Sequence, residues 1–315
     1  MPAAMDTTRQ IVAMASQPFL LELDPLERGQ SRIPKFVYFI DLVKPENNLM
    51  PFVHFAAIAS ARSVLRPDRL TLCLHGNLRG PWWERASMLV DEVRHVELPT
   101  RWREDKPIRQ YAHMADYIAM NLLRATGGIC LDMDTISVRP VDDLLQYECV
   151  LGREAPSQLS SSHPKLGNAV VMSAPGSSFM EEWFRRYPDV FDGDEWERAS
   201  TMLPAIIARE RPDLAIHIES EESFYVPSWD NLPELFERPG SVMPEVRIQH
   251  LWQQLSWERY LSGITSMSWA RENKHTLYAK LLLMVELSWI RDGIDYGMEP
   301  RSVPGMETGA MGALG

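Results

Sequence analysis

YAHMADYIAMNLLRATGGICLDMDTISVRPVDDLL, Tyr111 to Leu145, is the stretch that decides the fold. A helical pattern runs from Ile108 to Ala125, with Ala115, Ile118, Ala119, Leu122 and Leu123 at helical spacing. Gly127-Gly128 ends it, as glycine commonly does after a last turn. Ile129-Cys130-Leu131 then forms an apolar strand that runs into Asp132-Met133-Asp134. Residues i and i+2 of a strand share a face, so the two carboxylates are expected side by side. They would repel unless a cation or a hydrogen-bond donor lay between them. Oxygen ligands of this kind suit Mg²⁺ or Mn²⁺. Taken alone, Asp-x-Asp at a strand end also reads as a turn. The succession of helix, Gly-Gly, apolar strand, the two aspartates, Arg139-Pro140 and Asp142-Asp143-Leu144-Leu145 is far more specific.

On both sides of this stretch strands alternate with helices. Strands are expected at Phe36–Ile40, Leu70–Leu74, Val93–Leu98, Asn168–Ser173 and Leu214–Ile218. Helices are expected at Phe52–Leu65, Trp82–Val90, Ser177–Tyr187, Glu195–Arg209 and His275–Arg291. Such alternation predicts an α/β sheet with helices on its faces, where ligands bind at the carboxyl ends of strands. The expected organisation is a lead-in over 1–30, one domain over 31–296, and a tail over 297–315 rich in Gly, Pro and Met.

The chain has 315 residues and a net charge of −11, which argues against a duplex nucleic-acid binder. A phosphate-bearing ligand stays possible, because a metal ion can supply positive charge. Cys73, Cys130 and Cys149 form no CxxC pair, so three buried, reduced thiols are expected. No segment has the roughly 18–20 apolar residues of a membrane span, and the N-terminus lacks a secretory pattern; both point to a cytoplasmic protein.

The central stretch resembles the glycosyltransferases with a DXD sugar-binding region, the family 32 type. More distantly it resembles the glucosyltransferase domains of large clostridial toxins. The matching residues are Asp116 on the helix, Gly127-Gly128-Ile129-Cys130-Leu131-Asp132-Met133-Asp134, and Arg139-Pro140. Ile33-Pro34-Lys35-Phe36-Val37-Tyr38-Phe39-Ile40 is similar to the family's opening strand. Asn168-Ala169-Val170-Val171 and His250-Leu251-Trp252 with Ser256-Trp257 are similar to later elements.

The resemblance implies a GT-A fold, a Rossmann-like mixed sheet with helical additions. It further implies a divalent metal (Mn²⁺ or Mg²⁺), a nucleotide diphosphate sugar donor, a UDP-sugar first, and retention of configuration. The acceptor would be a hydroxyl on a glycan, lipid, small molecule or protein. Carried over, Asp134 would ligate the metal directly, and Asp132 would contact the ribose or sugar and approach the metal through water. His250 would be a second metal or diphosphate ligand. Asp116 would bind sugar hydroxyls, with Asn168 near the sugar and Gly128 within the donor-binding motif. Tyr38 and Phe39 would lie near the base, and Ser256 and Trp257 would close over the phosphates. Three positions depart from the pattern: Ala119 replaces a frequent Arg, Asp41 stands where the opening strand often ends in Trp, and Cys130 replaces the usual aromatic before the two aspartates.

Two other readings compete. Asp132-Met133-Asp134-Thr135-Ile136 looks like the nucleophile loop of a haloacid-dehalogenase-type phosphatase. That motif should open its domain, yet about 100 residues of α/β pattern precede it. A non-catalytic nucleotide-sugar binding protein is the other reading, kept open by Ala119 and Asp41. One of Trp82 and Trp83 is expected in the core and the other is left open. Asp142-Asp143 is expected to cap the short helix after it.

Overall fold

The computed structural model describes residues 33–43, 48–154, 165–191 and 197–297. The lead-in and the tail beyond Gly297 lie outside these residues. Among the described residues a seven-stranded sheet has the order β10-β8-β9-β6-β1-β2-β3. Its strands are β1 (Phe36–Leu42), β2 (Arg69–His75), β3 (Glu92–His95), β6 (Gly128–Leu131), β8 (Cys149–Arg153), β9 (Leu166–Ser173) and β10 (His217–Glu219); β4 (Arg101–Arg103) and β5 (Lys106–Pro107) pair in a separate small sheet. The pairs β1–β2, β2–β3, β1–β6 and β8–β10 are parallel, and β9 runs against both β6 and β8. The chain thus builds β1, β2 and β3 in one direction across the sheet and returns to the far side of β1 with β6. That reversal places a crevice at the carboxyl ends of β1 and β6, where open α/β sheets bind ligands.

Alternation along β1 divides the interior. Val37 and Phe39 join one apolar core, and Tyr38 joins the other, as a period of two requires. Helix α1 (Phe52–Ser60), continued as a π-helical turn over Ala61–Leu65, packs in the first core with α10 (Leu277–Asp292). Helix α2 (Pro81–Ser87) starts on Pro81, whose missing N–H costs nothing in a first turn. Helices α3 (Tyr111–Thr126), α4 (Ser178–Val190) and α5 (Leu203–Glu210) cover the opposite face. Four short helices, α6 to α9, lie between β10 and α10: Glu221–Phe224, Pro233–Phe236, Gln253–Ser256 and Met267–Glu272.

Most expected elements are present with ends shifted by a few residues. The run from Glu195 is a π-helical turn at Arg198–Met202 followed by α5, with 192–196 outside the described residues. Asp142 and Asp143 open a 3₁₀ turn, Asp142–Gln146, without capping it. Instead Asp142 pairs with Lys35 at 2.5 Å and Asp143 holds Arg247 by two 2.7 Å bonds. Arg is a better partner than an orphan N–H here because its planar fork meets both carboxylate oxygens. The three cysteines are free and buried. Among the described residues no helix is long and apolar enough to cross a membrane.

Candidate active site

Strand β6 ends at Leu131, so Asp132 and Asp134 are not strand neighbours; residues 133–134 form a turn. The turn is locked from both ends. Asp132 N donates to Ala169 O on β9 at 3.0 Å, and Thr135 Oγ1 donates to Asp132 O at 2.8 Å. Strand β7 (Thr135–Ser137) then pairs antiparallel with β11 (Ile248–His250), setting His250 opposite Thr135. This register carries a residue from the far end of the chain to the acidic turn. Ligand atoms of Asp132, Asp134 and His250 all lie within 4.8 Å of one another.

Asp134 is buried and doubly held. His250 Nε2 is 3.2 Å from Asp134 Oδ2, and the Gln253 N–H donates to the same oxygen at 2.6 Å. Burial alone would raise this carboxyl; the His250 charge and hydrogen bond, with the Gln253 N–H, outweigh it and hold it below the usual range. Burial pushes the His250 imidazole down, and the two aspartates push it up further, so it keeps its proton above its ordinary range. Asp132 is raised to about 7, first by loss of water and then by the charge of Asp134. Because Asp132 keeps an exposed face, the repulsion is the firmer cause.

The metal-free protein should therefore lose stability as pH rises from about 4 to above 7. Asp132 binds its proton more tightly folded (about 7) than unfolded, and so does His250, and such groups stabilise less as pH climbs through the folded value. Asp134 has the opposite sign, and its contribution is already complete above its unfolded value near 4. Melting temperatures across pH 5 to 8 in chelator should fall, and saturating Mn²⁺ should flatten the slope. A melting temperature that rises with pH in chelator would contradict this arrangement.

A second polar group adjoins the first. Asp116 on α3 accepts from Tyr187 Oη at 2.7 Å and from Asn168 Nδ2 at 2.8 Å. Arg124, on the same helix, pairs instead with Glu181 at 2.6 Å. His113 Nδ1 backs the Tyr187 hydroxyl at 3.0 Å.

Other expected residues lie elsewhere. Tyr38 and Phe39 are fully buried in opposite cores, and the Tyr38 hydroxyl meets Thr126 Oγ1 at 2.9 Å, so neither ring is exposed on the surface of the crevice. Gly128 has φ +125°, and a Cβ there would stand 2.7 Å from Phe36 O. Its place is in the packing of β6 on β1, with no ligand contact required. Ser256 is fully buried and donates to Leu251 O at 2.7 Å, so its hydroxyl shapes the loop. Trp257 is half-buried and lines a cavity beside the cluster. Trp82 packs edge-on against Phe52 at 5.0 Å and lines the same cavity; Trp83 packs against the first core.

The sequence reading gave no role to the residues that aim the cluster. Trp252 takes a left-handed conformation, φ 57°, uncommon for a bulky residue. This kink turns the Gln253 N–H onto Asp134. The ring of Tyr225 lies edge-on to His250 at 5.9 Å, its hydroxyl accepting from Val170 N at 3.2 Å. Gly152 and Gly167 admit that ring, since a Cβ at either would come within 2.8 Å of it.

Residues 85–151 match the family model described as glycosyltransferase sugar-binding region containing DXD motif. The chain thus carries that region, with Asp132 and Asp134 as its DXD pair, and its class is that of a glycosyltransferase. It is 29% identical over 271 residues to glucan organizing enzyme 1 of Cryptococcus neoformans var. grubii serotype A, covering 81% of this chain and 71% of that protein. Among solved structures it is similar to the glycosyltransferase GlyE of Streptococcus pneumoniae TIGR4, with TM-score 0.46, 13% identity, and 84% of this chain against 64% of that one. The galactosyltransferase LgtC gives 0.42 and 12%, with coverages of 84% and 98%. The PaToxG glycosyltransferase gives 0.43 and 14%, with coverages of 58% and 71%. The mixed sheet, with β9 reversed between β8 and β6, agrees with the α/β sheet expected from the sequence. The phosphatase alternative finds no support: its nucleophile would open the domain, whereas Asp132 follows β6 in mid-sheet.

Proposed function

We propose that this chain, with residues 31–296 as one domain, is a metal-dependent, retaining hexosyltransferase acting in the cytoplasm. It would take its sugar from a nucleotide diphosphate donor, a UDP-sugar first, and pass it to a hydroxyl acceptor. The convergence of Asp132, Asp134 and His250 at the crevice between β1 and β6 carries this reading.

The donor set fits a dication. Two carboxylates and an imidazole meet, and the repulsion that raises Asp132 is what a cation relieves. An imidazole ligand favours Mn²⁺ over Mg²⁺. Asp134 and His250 would hold the metal, with Asp132 reaching it through water; when bound it supplies positive charge opposite a leaving diphosphate. The protein's own part is positional. Gln253 N–H and His250 keep Asp134 ionised and fixed in one orientation. Asp116, held by Tyr187 and Asn168, presents a carboxylate to sugar hydroxyls. Retention follows the resemblance, and because the sequence offers no convincing carboxylate nucleophile we favour front-face displacement: the sugar–phosphate bond breaks, the acceptor oxygen bonds to the same face, and its proton passes to the departing β-phosphate. A trapped glycosyl-enzyme adduct in a mass spectrum would overturn that choice.

Incubation with nucleotide sugars and Mn²⁺ tests the function, with release of nucleotide diphosphate as the readout. Absence of release across the panel, with binding intact, would favour the non-catalytic reading. Asp116→Ala should weaken UDP-sugar binding about tenfold and leave UDP binding within about twofold, because a lost hydrogen bond to charge is worth roughly 1.5–3 kcal/mol. It should also lower stability, since Tyr187 and Asn168 lose their acceptor. Equal losses for UDP and UDP-sugar would refute the sugar-binding role.

A further inference from the structure

We infer that His54, held by Asp41, is a positioning residue for the metal centre: it anchors the Gln253 side chain, so that the Gln253 N–H keeps Asp134 in its ligating orientation. The inference rests on the metal-site reading and adds the support behind one of its ligands. The residues come from four parts of the chain. Asp41 is next to last in β1, His54 lies on α1, Asp134 is in the acidic turn, and Gln253 opens α8. Their contacts run in series. Asp41 Oδ2 and His54 Nδ1 pair at 3.4 Å, His54 Nε2 stands 2.8 Å from Gln253 Oε1, and Gln253 N donates to Asp134 Oδ2 at 2.6 Å. The amide oxygen can only accept, so Nε2 is the donor.

Asp41 and His54 are each 9% exposed, so water screens their pairing little. Burial pushes the His54 imidazole down; the Asp41 carboxylate beside it, then Gln253 and the Asp134 charge, push it up further, so it keeps its proton. An imidazolium engaged at both nitrogens has one orientation. The anchor matters because of the kink before it. The left-handed Trp252, φ 57°, is strained, and such a conformation persists only where its surroundings enforce it. Ahead of the kink the chain is held by β11 and by the Trp252 Nε1 bond to Pro227 O at 3.0 Å. Immediately after it, the side-chain bond of Gln253 to His54 is the hold. The sign of the charge is informative. A cation near a metal site repels the metal, so an imidazolium there is explained by what it holds, and Asp41 offsets its charge.

Titration calorimetry of the full chain with Mn²⁺ alone, at one pH, tests this. His54→Ala removes a positive charge, so electrostatics by itself would tighten Mn²⁺ binding. The anchor requires the reverse, a loss of about tenfold, the worth of one hydrogen bond to a charged group. His54→Gln should restore the wild-type affinity or exceed it, because the new amide N–H can reach Gln253 Oε1 without a charge. Gln253→Ala should match His54→Ala, and the double variant should lose no more than either alone, as expected when two residues act through one contact. Unchanged or tighter Mn²⁺ binding in His54→Ala would overturn the inference, as would additive losses in the double variant or no recovery in His54→Gln. Should His54→Ala fail to fold, Gln253→Ala decides alone: it keeps every charge and the backbone N–H, so wild-type affinity there would also overturn the anchor. If the wild-type chain binds no Mn²⁺, the metal-site reading itself falls; if it binds Mn²⁺ and the variants equal it, only the anchor falls.

Discussion

Asp134→Asn should lower turnover by roughly 10²–10³-fold, the usual loss when an electrostatic contact to a transition state is removed. The two side chains are nearly isosteric. An amide oxygen can still accept from the Gln253 N–H, so the 2.6 Å bond that fixes the loop has a replacement. The charge has none. His250 would face a neutral group, and an amide is a far weaker ligand for a hard cation. Melting temperature should stay within a few degrees of wild type in chelator, and the Mn²⁺-induced rise should vanish. Were Asp134 only a turn former, Asn would serve as well, because it is an equally good turn residue. Retained Mn²⁺-dependent turnover in the purified variant would therefore remove the metal-site reading. Asp132→Asn should also be damaging, but with a larger share in donor affinity, because Asp132 is exposed to the crevice.

Gly128→Ala should destabilise the fold by about 3 kcal/mol or more. Two costs add at this position. A φ of +125° strains any L side chain, at roughly 1–3 kcal/mol, and forcing a methyl into filled space adds about 1–3 kcal/mol. The new Cβ would sit 2.7 Å from Phe36 O and 2.8 Å from the Tyr38 ring. Neither can retreat: Phe36 is in the β1 ladder, and Tyr38 is fully buried. Gly176→Ala is the matched control, with φ +65° and nothing within 4 Å, so it pays for backbone strain alone. Urea midpoints of the two variants at unchanged slope give the comparison. If Gly128→Ala were no worse than Gly176→Ala, the close contact of β6 with β1 would not be the reason for glycine there.

Much of the architecture was legible because its signals are local. The five apolar residues of Phe36–Ile40 and the helical spacing over Ala115–Leu123 lie within single elements, and each appears where expected. Strand β8, Cys149–Arg153, was missed because its five residues lack a distinctive boundary after the 3₁₀ turn. Strands β7 and β11 have three residues each and exist only through their pairing, which no local pattern announces. The site divides in the same way. Asp132, Asp134, Asp116, Asn168 and His250 could be named from the motif and its flanks. His54 could not, because it is a lone histidine in an apolar helix. Its place depends on Gln253, 199 positions later in the chain. Tyr38 and Phe39 are buried for a physical reason: side chains near the middle of an interior strand of a covered sheet point into the cores, and the strand end, at Asp41, lines the cavity.

The antiparallel join of β7 to β11 also has a consequence for biosynthesis. Asp134 and Gln253 are 119 positions apart, so the acidic turn leaves the ribosome long before its histidine and its backbone donor. At ordinary bacterial or eukaryotic elongation speeds that gap lasts on the order of 10 s. During it a nascent chain would hold two neighbouring carboxylates with no counter-charge from His250. Ion capture and catalytic competence would thus arrive together and late, when β11 docks on β7, and a chain interrupted before Ile248 would be left with the sheet's central strands and an unfinished centre.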